Sequence, residues 1–411
     1  DGDGLLDIIA ALAGKSIIYG SRRRGIPHVR FHMHRVTQAF AKQEGGSHPE
    51  LLGRTRGRHA AWYLAVAERV DPELDLLAYV QHGMAEQENL SALHAGALSG
   101  PADAGHKARA LRAVRCLEPI CSFNSDFDRL LALADDALAI DADADPLLTA
   151  EALITRGYEL IRRGAALEAS ADLSAAADLA DCPEGETIRA RANNRLAIAH
   201  RILGAHEEAL ALHEEARPVL ASAGARRELG LLFGHVALAR MAESPDAALD
   251  CLLQARDCLR ETGDPMRMSA VLGSLGELHR DRGDWVVALQ HLEEGIEYAR
   301  QCGHGPSAAW PREHMARLQH ELGMWRQARD SYENVLELRQ AAGDHHGEAS
   351  VRHDLARMAL EAGRLADVAA HLDHRSVHDV AKHNPTLAAE IGLTRCAALA
   401  IAGTPGAGRD L

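Results

Sequence analysis

Residues Gly276-Glu-Leu-His-Arg-Asp-Arg-Gly283-Asp-Trp-Val-Val-Ala288-Leu carry the clearest copy of a pattern that runs through most of this chain. A turn glycine is followed five residues later by alanine, and a small residue stands seven places before the turn. The same spacing recurs in Gly164-Ala-Ala-Leu-Glu-Ala169, Gly204-Ala-His-Glu-Glu-Ala209 and Gly323-Met-Trp-Arg-Gln-Ala328, with worn copies in Glu243-Ser-Pro-Asp-Ala-Ala248 and Gly363-Arg-Leu-Ala-Asp-Val368. The second anchor falls at 169, 209, 248, 288, 328 and 368, so the period is 40 residues with one step of 39. Small residues also precede the turns at Gly157, Ala197, Gly276, Ala316 and Ala356, and follow the anchors at Ala176, Ala216, Ala255 and Gly295.

Each unit reads as two helices joined by a tight turn. Glycine ends the first helix because it accepts φ > 0 at no steric cost. The small positions let paired helices approach closely, and the leucines between them fill the seam. One such pair cannot bury its apolar face alone, so the units must stack into a right-handed α-solenoid.

Composition agrees. The 411 residues are 47% hydrophobic and 25% charged but only 4% aromatic, which suits a folded helical protein and lacks the residues that sheets prefer. No apolar run is long enough to span a membrane. Seven scattered cysteines without a CxxC pair point to reduced thiols and a cytoplasmic setting. Net charge is −14, but residues 1–60 carry +5 and the remainder −19, so only the first sixty residues suit an approach to phosphates. The acidic start without Met suggests a chain cut from something longer.

The repeated units resemble the tetratricopeptide repeat, in a long-period form, over residues 103–411. A worn first unit places Leu130 and Ala137 in the two helix slots after a turn near Ser125, and the last unit is incomplete. Ahead of the repeats, Leu5 to Tyr19 reads as a helix running into a strand, Gly20 to Pro27 as a basic turn, and His28 to His34 as the partner strand, before a helix from Val36. Gly14-Lys15-Ser16 is no phosphate loop, since Ile9 stands where that motif needs glycine and the order is helix to strand.

Residues 1–45 resemble the winged-helix segment of signal-transduction ATPases with numerous domains (STAND, or NB-ARC-like, ATPases). Met33-His34 matches two residues of that family's Met-His-Asp motif, with Arg35 in place of the Asp. Residues 46–102, including Arg58-His-Ala-Ala-Trp-Tyr-Leu-Ala-Val-Ala-Glu68 and Glu86-Gln-Glu-Asn-Leu90, look like the helical connector that follows it in large bacterial regulators. The resemblance implies that His34 contacts the β-phosphate of ADP in an upstream ATPase core. It also implies a parent that switches between ADP and ATP, oligomerises on activation and reaches DNA through a separate effector domain. Arg22, Arg23 and Arg24 fit either a DNA-touching wing or packing against that ATPase.

No catalytic fingerprint is present, and this chain is expected to be no enzyme and to hold no cofactor or metal of its own. His371, His374 and His378 share a helix spacing that could bind a divalent metal, but with 24 histidines in the chain a solvated polar face explains it better. The inner groove of the solenoid is the candidate site for a protein, peptide or small-molecule signal. By register it presents Arg191, Asn194, Arg201, Glu277, Arg280, Trp310, Glu313, Arg317, His320, His353 and Arg357. These form either a basic ladder for an acidic partner or a solvated face with local Glu–Arg pairs. Trp285 and Trp325 read as packing anchors. The alternative to a STAND sensor half is a free-standing scaffold that docks a partner peptide.

Overall fold

The computed structural model describes residues 2–21, 30–124, 126–241, 243–301, 308–382 and 384–403. It opens with α1 (Gly2–Gly14), an antiparallel hairpin of β1 (Ile18–Ser21) and β2 (Arg30–Met33), and α2 (Arg35–Gly46). In the hairpin Tyr19 pairs with His32 and Ile18 with Met33. The helix–strand–strand–helix order is the one expected. However, no side chain described between Asp7 and Gly46 is buried, and Ile8, Tyr19, Phe31, Val36 and Phe40 are exposed, so the segment closes no core of its own. Arg22, Arg23 and Arg24 lie outside the described residues.

A helical hairpin follows, α3 (Pro49–Ala67) and α4 (Leu76–Leu98). The paired helices come next: α5 (Ala104–Phe123) with α6 (Phe127–Leu138), α7 (Pro146–Arg162) with α8 (Ala166–Leu179), α9 (Glu186–Ile202) with α10 (His206–Ser222), and α11 (Arg226–Arg240) with α12 (Pro245–Thr262). The array continues with α13 (Pro265–Asp281) and α14 (Trp285–Gln301), α15 (Ala309–Glu321) and α16 (Trp325–Ala341), and α17 (His345–Glu361) and α18 (Leu365–Leu372). The short α19 (Arg375–Ala381) and α20 (Pro385–Ala402) complete it.

Local chemistry sets these boundaries. Asp145 and Asp264 cap α7 and α13 by accepting from the Leu147 and Arg267 amides, each followed by proline at the first helical position. Asp103 and Asp344 cap α5 and α17 in the same way. Gly164, Gly204, Gly283, Gly323 and Gly363 all adopt φ between 73° and 86°, as the turns within pairs require. A second series, Gly224, Gly263 and Gly343, adopts φ between 62° and 68° in the turns between pairs. The small slots do what their size allows. A Cβ at Gly276 would lie 2.5 Å from Leu292, so α13 and α14 can meet at this distance only because glycine stands there. Ala169, Ala248, Ala288 and Ala328 are fully buried at the anchor positions.

The connector is part of the solenoid's core. Leu64 of α3 and Leu90 of α4 join Leu111, Leu117 and Ile120 of α5 in one apolar cluster. Further clusters run along the array, the largest centred on Leu229, Leu252, Leu272 and Leu275. The expected histidine face does not form as one helix, because the chain breaks at Asp373 between α18 and α19. Among the described residues no group of three or more His, Cys, Asp or Glu is placed to hold a metal ion. Trp285 and Trp325 are about half exposed, and the Trp325 ring packs edge-on against His320 of α15, 4.8 Å between ring centres. Among the described residues no helix is long and apolar enough to cross a membrane.

Candidate functional site

First helices of successive pairs stack on one another, α5 on α7, α7 on α9, and α11 through α13 to α15, and build the inner wall of the array. The solenoid curves far enough to bring early and late repeats together around a cavity of about 220 Å³. One side is Phe127, Asp128, Glu159, Arg162 and Arg163 from α6, α7 and the turn after α7; the other includes Met266, Trp310, Arg339 and Asp344.

The cavity is polar at its ends and aromatic along its walls. Glu159 is 2% exposed, and burial pushes its carboxyl up to about 7 against the nearby charge of Arg162. The Arg162 Nε stands 3.9 Å from the Glu159 carboxylate, while its guanidinium lies 3.8 Å over the Phe127 ring. Arg339 donates to Glu313 (3.0 Å) and to Asp344 (2.5 Å), and sits 6.0 Å above the Trp310 ring. Four buried polar atoms here have no hydrogen-bond partner among the described residues: Glu159 Oε2, Arg162 Nε, Trp310 Nε1 and Arg339 Nε. Buried polar groups are normally satisfied, so such a concentration marks a place where an incoming molecule gains more than it loses.

Further along the inner wall lies a network of buried charges. Glu228 of α11 accepts from Arg195 (2.7 Å) and from Asn194 (3.3 Å) of α9. Despite full burial, the surrounding arginines, Arg195 foremost, hold its carboxyl well below the usual carboxylate range. Arg227 donates to Asp264 (3.0 Å), and the Arg267 guanidinium donates to the Arg227 carbonyl (3.3 Å). Into this network the loop between α3 and α4 inserts Glu73, whose carboxylate accepts from the backbone amides of Arg227 (3.0 Å) and Glu228 (3.3 Å) at the start of α11. The chain's own connector thus lays an acidic side chain on its inner wall.

Most of the sequence-named groove residues are tied up locally. Arg191 faces Glu151 and Glu228 at 3.7 and 3.9 Å. Asn194 is wholly buried, bonded to Glu228 and His213, so it links helices rather than facing the groove. Arg280 pairs with Asp281 and Glu321. Arg317 bonds Glu313 and Asp354, both at 2.8 Å, and Arg357 stands 3.8 Å from Asp354. Glu277 lies 3.5 Å from the His314 ring, and burial raises its carboxyl to about 6. His320 meets Glu361 at 3.1 Å, and His353 meets Thr394 at 3.1 Å. Trp310 lines the cavity, with Glu313 behind it on Arg339. Arg201 alone of the named arginines has no carboxylate partner among the described residues. His34 is the exposed cap residue of α2, its ring 4.9 Å from that of Tyr19.

Sequence reasoning missed Glu159, Arg162, Arg195, Glu228, Arg339 and Glu73. Periodicity marks which face of a helix is buried, but it does not show where the superhelix closes on itself. An available signal was acidic and basic residues at buried helical register, such as Glu159 two places after Gly157.

Comparison with known proteins bears out this architecture. Residues 266–341 match a tetratricopeptide repeat model. A search of curated proteins gives no match. Among solved structures, a Rap protein complexed with competence and sporulation factor is similar at a TM-score of 0.57 and 13% identity, covering 84% of this chain and 97% of that one. The Rap conjugation gene regulator of plasmid pLS20, in complex with the Phr* peptide, follows at 0.54 and 13%, with the same coverage. A STAND protein with a tetratricopeptide repeat sensor from Pyrococcus horikoshii is similar at 0.51 and 12%, covering 95% of this chain and 58% of that one. The fold is therefore a tetratricopeptide-type helical solenoid.

Proposed function

We propose that this chain is the sensor and protein-interaction half of a STAND-type regulator, with the concave face of the repeats binding a signal or partner segment. The observation that carries the reading is the inner cavity. It joins Phe127 and Glu159 to Trp310 and Arg339, more than 150 residues apart in sequence, and leaves four buried polar atoms without a hydrogen-bond partner among the described residues. A molecule bound there bridges early and late repeats, so its binding energy favours one curvature of the array over another. The exposed Tyr19, Phe31, Val36 and Phe40 ahead of the repeats support a body that covers them, which in this reading is an upstream ATPase sensing ADP or ATP through His34. The chemistry then belongs to that ATPase, and DNA is reached through an effector domain elsewhere in the parent, a bacterial transcriptional regulator of the cytoplasm.

A second reading, a free-standing peptide-binding scaffold, is favoured by the 97% coverage of two Rap proteins, one complexed with competence and sporulation factor and one with the Phr* peptide. The native mass in the source cell, detected with an antibody to this chain, separates the two. A species far above 44.3 kDa supports the STAND parent, and one at 44.3 kDa sinks it.

A further inference from the structure

In a protein of net charge −14, buried arginines find carboxylates easily. Arg195 pairs with Glu228, Arg227 with Asp264, Arg280 with Asp281, Arg317 with Asp354 and Arg339 with Glu313. Arg201, near the end of α9, is the exception: the residue is half-buried, its buried Nε has no hydrogen-bond partner among the described residues, and no carboxylate among them pairs with it. A guanidinium drawn part-way out of water without a carboxylate is costly, and a site that supplies an anion from outside relieves that cost.

Its surroundings are built to match. Asn194 and Glu228 touch across α9 and α11 at a sequence separation of 34. Arg201 and His235 have the same separation, two helical turns further on, so they occupy facing positions on the same two helices. The buried His235 Nδ1 also has no partner. His213 of α10 contacts the Asn194 side-chain oxygen at 3.1 Å and completes the cluster. Burial, reinforced by Arg201, keeps both imidazoles below their ordinary range, and the Arg267 guanidinium adds to the effect on His235. Neutral imidazoles remain hydrogen-bond donors.

We infer that Arg201 and His235, backed by His213, form an oxyanion-binding site on the concave face, which takes a carboxylate or phosphate of the docked partner segment. The site rests on the reading of that face as the partner surface and adds the chemistry it selects. An oxyanion there receives a charge-assisted bond from Arg201 and a second bond from an imidazole N–H. The connector already shows how an acidic residue suits this wall: Glu73 sits on the amides that open α11, the helix that carries His235.

The test needs no partner. The full chain is titrated with inorganic phosphate and, separately, with acetate, at ionic strength held constant with chloride, while the His235 and His213 ring resonances are followed by NMR. A saturable shift of both resonances is expected. Phosphate alone producing it assigns the site to a phosphorylated residue; acetate producing it assigns the site to an acidic side chain or chain terminus. Arg201→Gln is expected to weaken the anion at least about tenfold and to raise the Tm in anion-free buffer, since it removes an uncompensated charge. Arg201→Lys retains part of the binding. Resonances unmoved by either anion, or shifts that persist unchanged in Arg201→Gln, overturn the proposal. A partner whose affinity ignores Arg201 also sinks it while leaving the concave face as partner surface; an intact anion shift with no partner binding does the reverse.

Discussion

Glu159 gives the sharpest quantitative test of the cavity. Its carboxyl titrates at about 7 in the folded chain against an ordinary 4.5, because burial opposes the charged form. A carboxyl whose folded value is raised holds its proton longer in the native state, so the native state is fully favoured below about pH 4.5 and loses stability as pH rises towards 7. At about 1.4 kcal/mol per pH unit, the loss over that window is about 3 kcal/mol. Glu159→Gln keeps the shape and removes the titration. Urea unfolding of both proteins at pH 5 and pH 8.5, compared at equal m-values, isolates the effect because every other titrating group cancels in the difference. The variant is expected to gain about 2.5 kcal/mol on the parent between the two pH values, because part of the loss has already occurred at pH 5. Parallel pH dependence in the two proteins refutes the buried, under-satisfied carboxylate. Such a group is tolerated where a ligand donates to it, so the same variant is expected to bind the cavity's ligand less tightly.

Other perturbations probe the surrounding framework. Glu228→Gln strips the carboxylate from Arg195, which is 1% exposed, and is expected to cost about 3–5 kcal/mol; the double change Glu228→Leu with Arg195→Met recovers most of it in thermal melts, and a double no better than the single contradicts the pairing. Gly276→Ala places a Cβ 2.5 Å from Leu292 and is expected to destabilise by about 1–3 kcal/mol, so an unchanged Tm counts against the close approach of α13 and α14. Glu73→Gln weakens the cap on α11, and faster amide exchange at Arg227 and Glu228 with α15 unchanged is the expected signature.

The repeat was legible because its constraints are local. A turn needing φ > 0 at Gly283 and a seam too close for a side chain at Gly276 impose residue types at fixed spacing, and spacing is what a sequence displays. The site was less legible because curvature is collective. Trp310 was found by register, yet its facing partners Glu159 and Arg162 belong to another part of the array, and nothing local relates the two. Register named the arginines without showing their partners: Arg317 sits between Glu313 and Asp354, whereas Arg201 has no carboxylate among the described residues. In the first segment the element order was readable from the basic turn and flanking strands, but the missing core was not. Ile8 and Phe40 look like core residues in sequence and stand exposed in the fold.

The most direct test of the concave face as the partner surface is hydrogen exchange on the full chain, with and without a peptide selected on it from a random library. Protection concentrated on α7, α9, α13 and α15, and lost on Trp310→Ala, is the predicted result. Protection on the outer helices α8, α10, α14 and α16, or binding indifferent to Trp310, contradicts it.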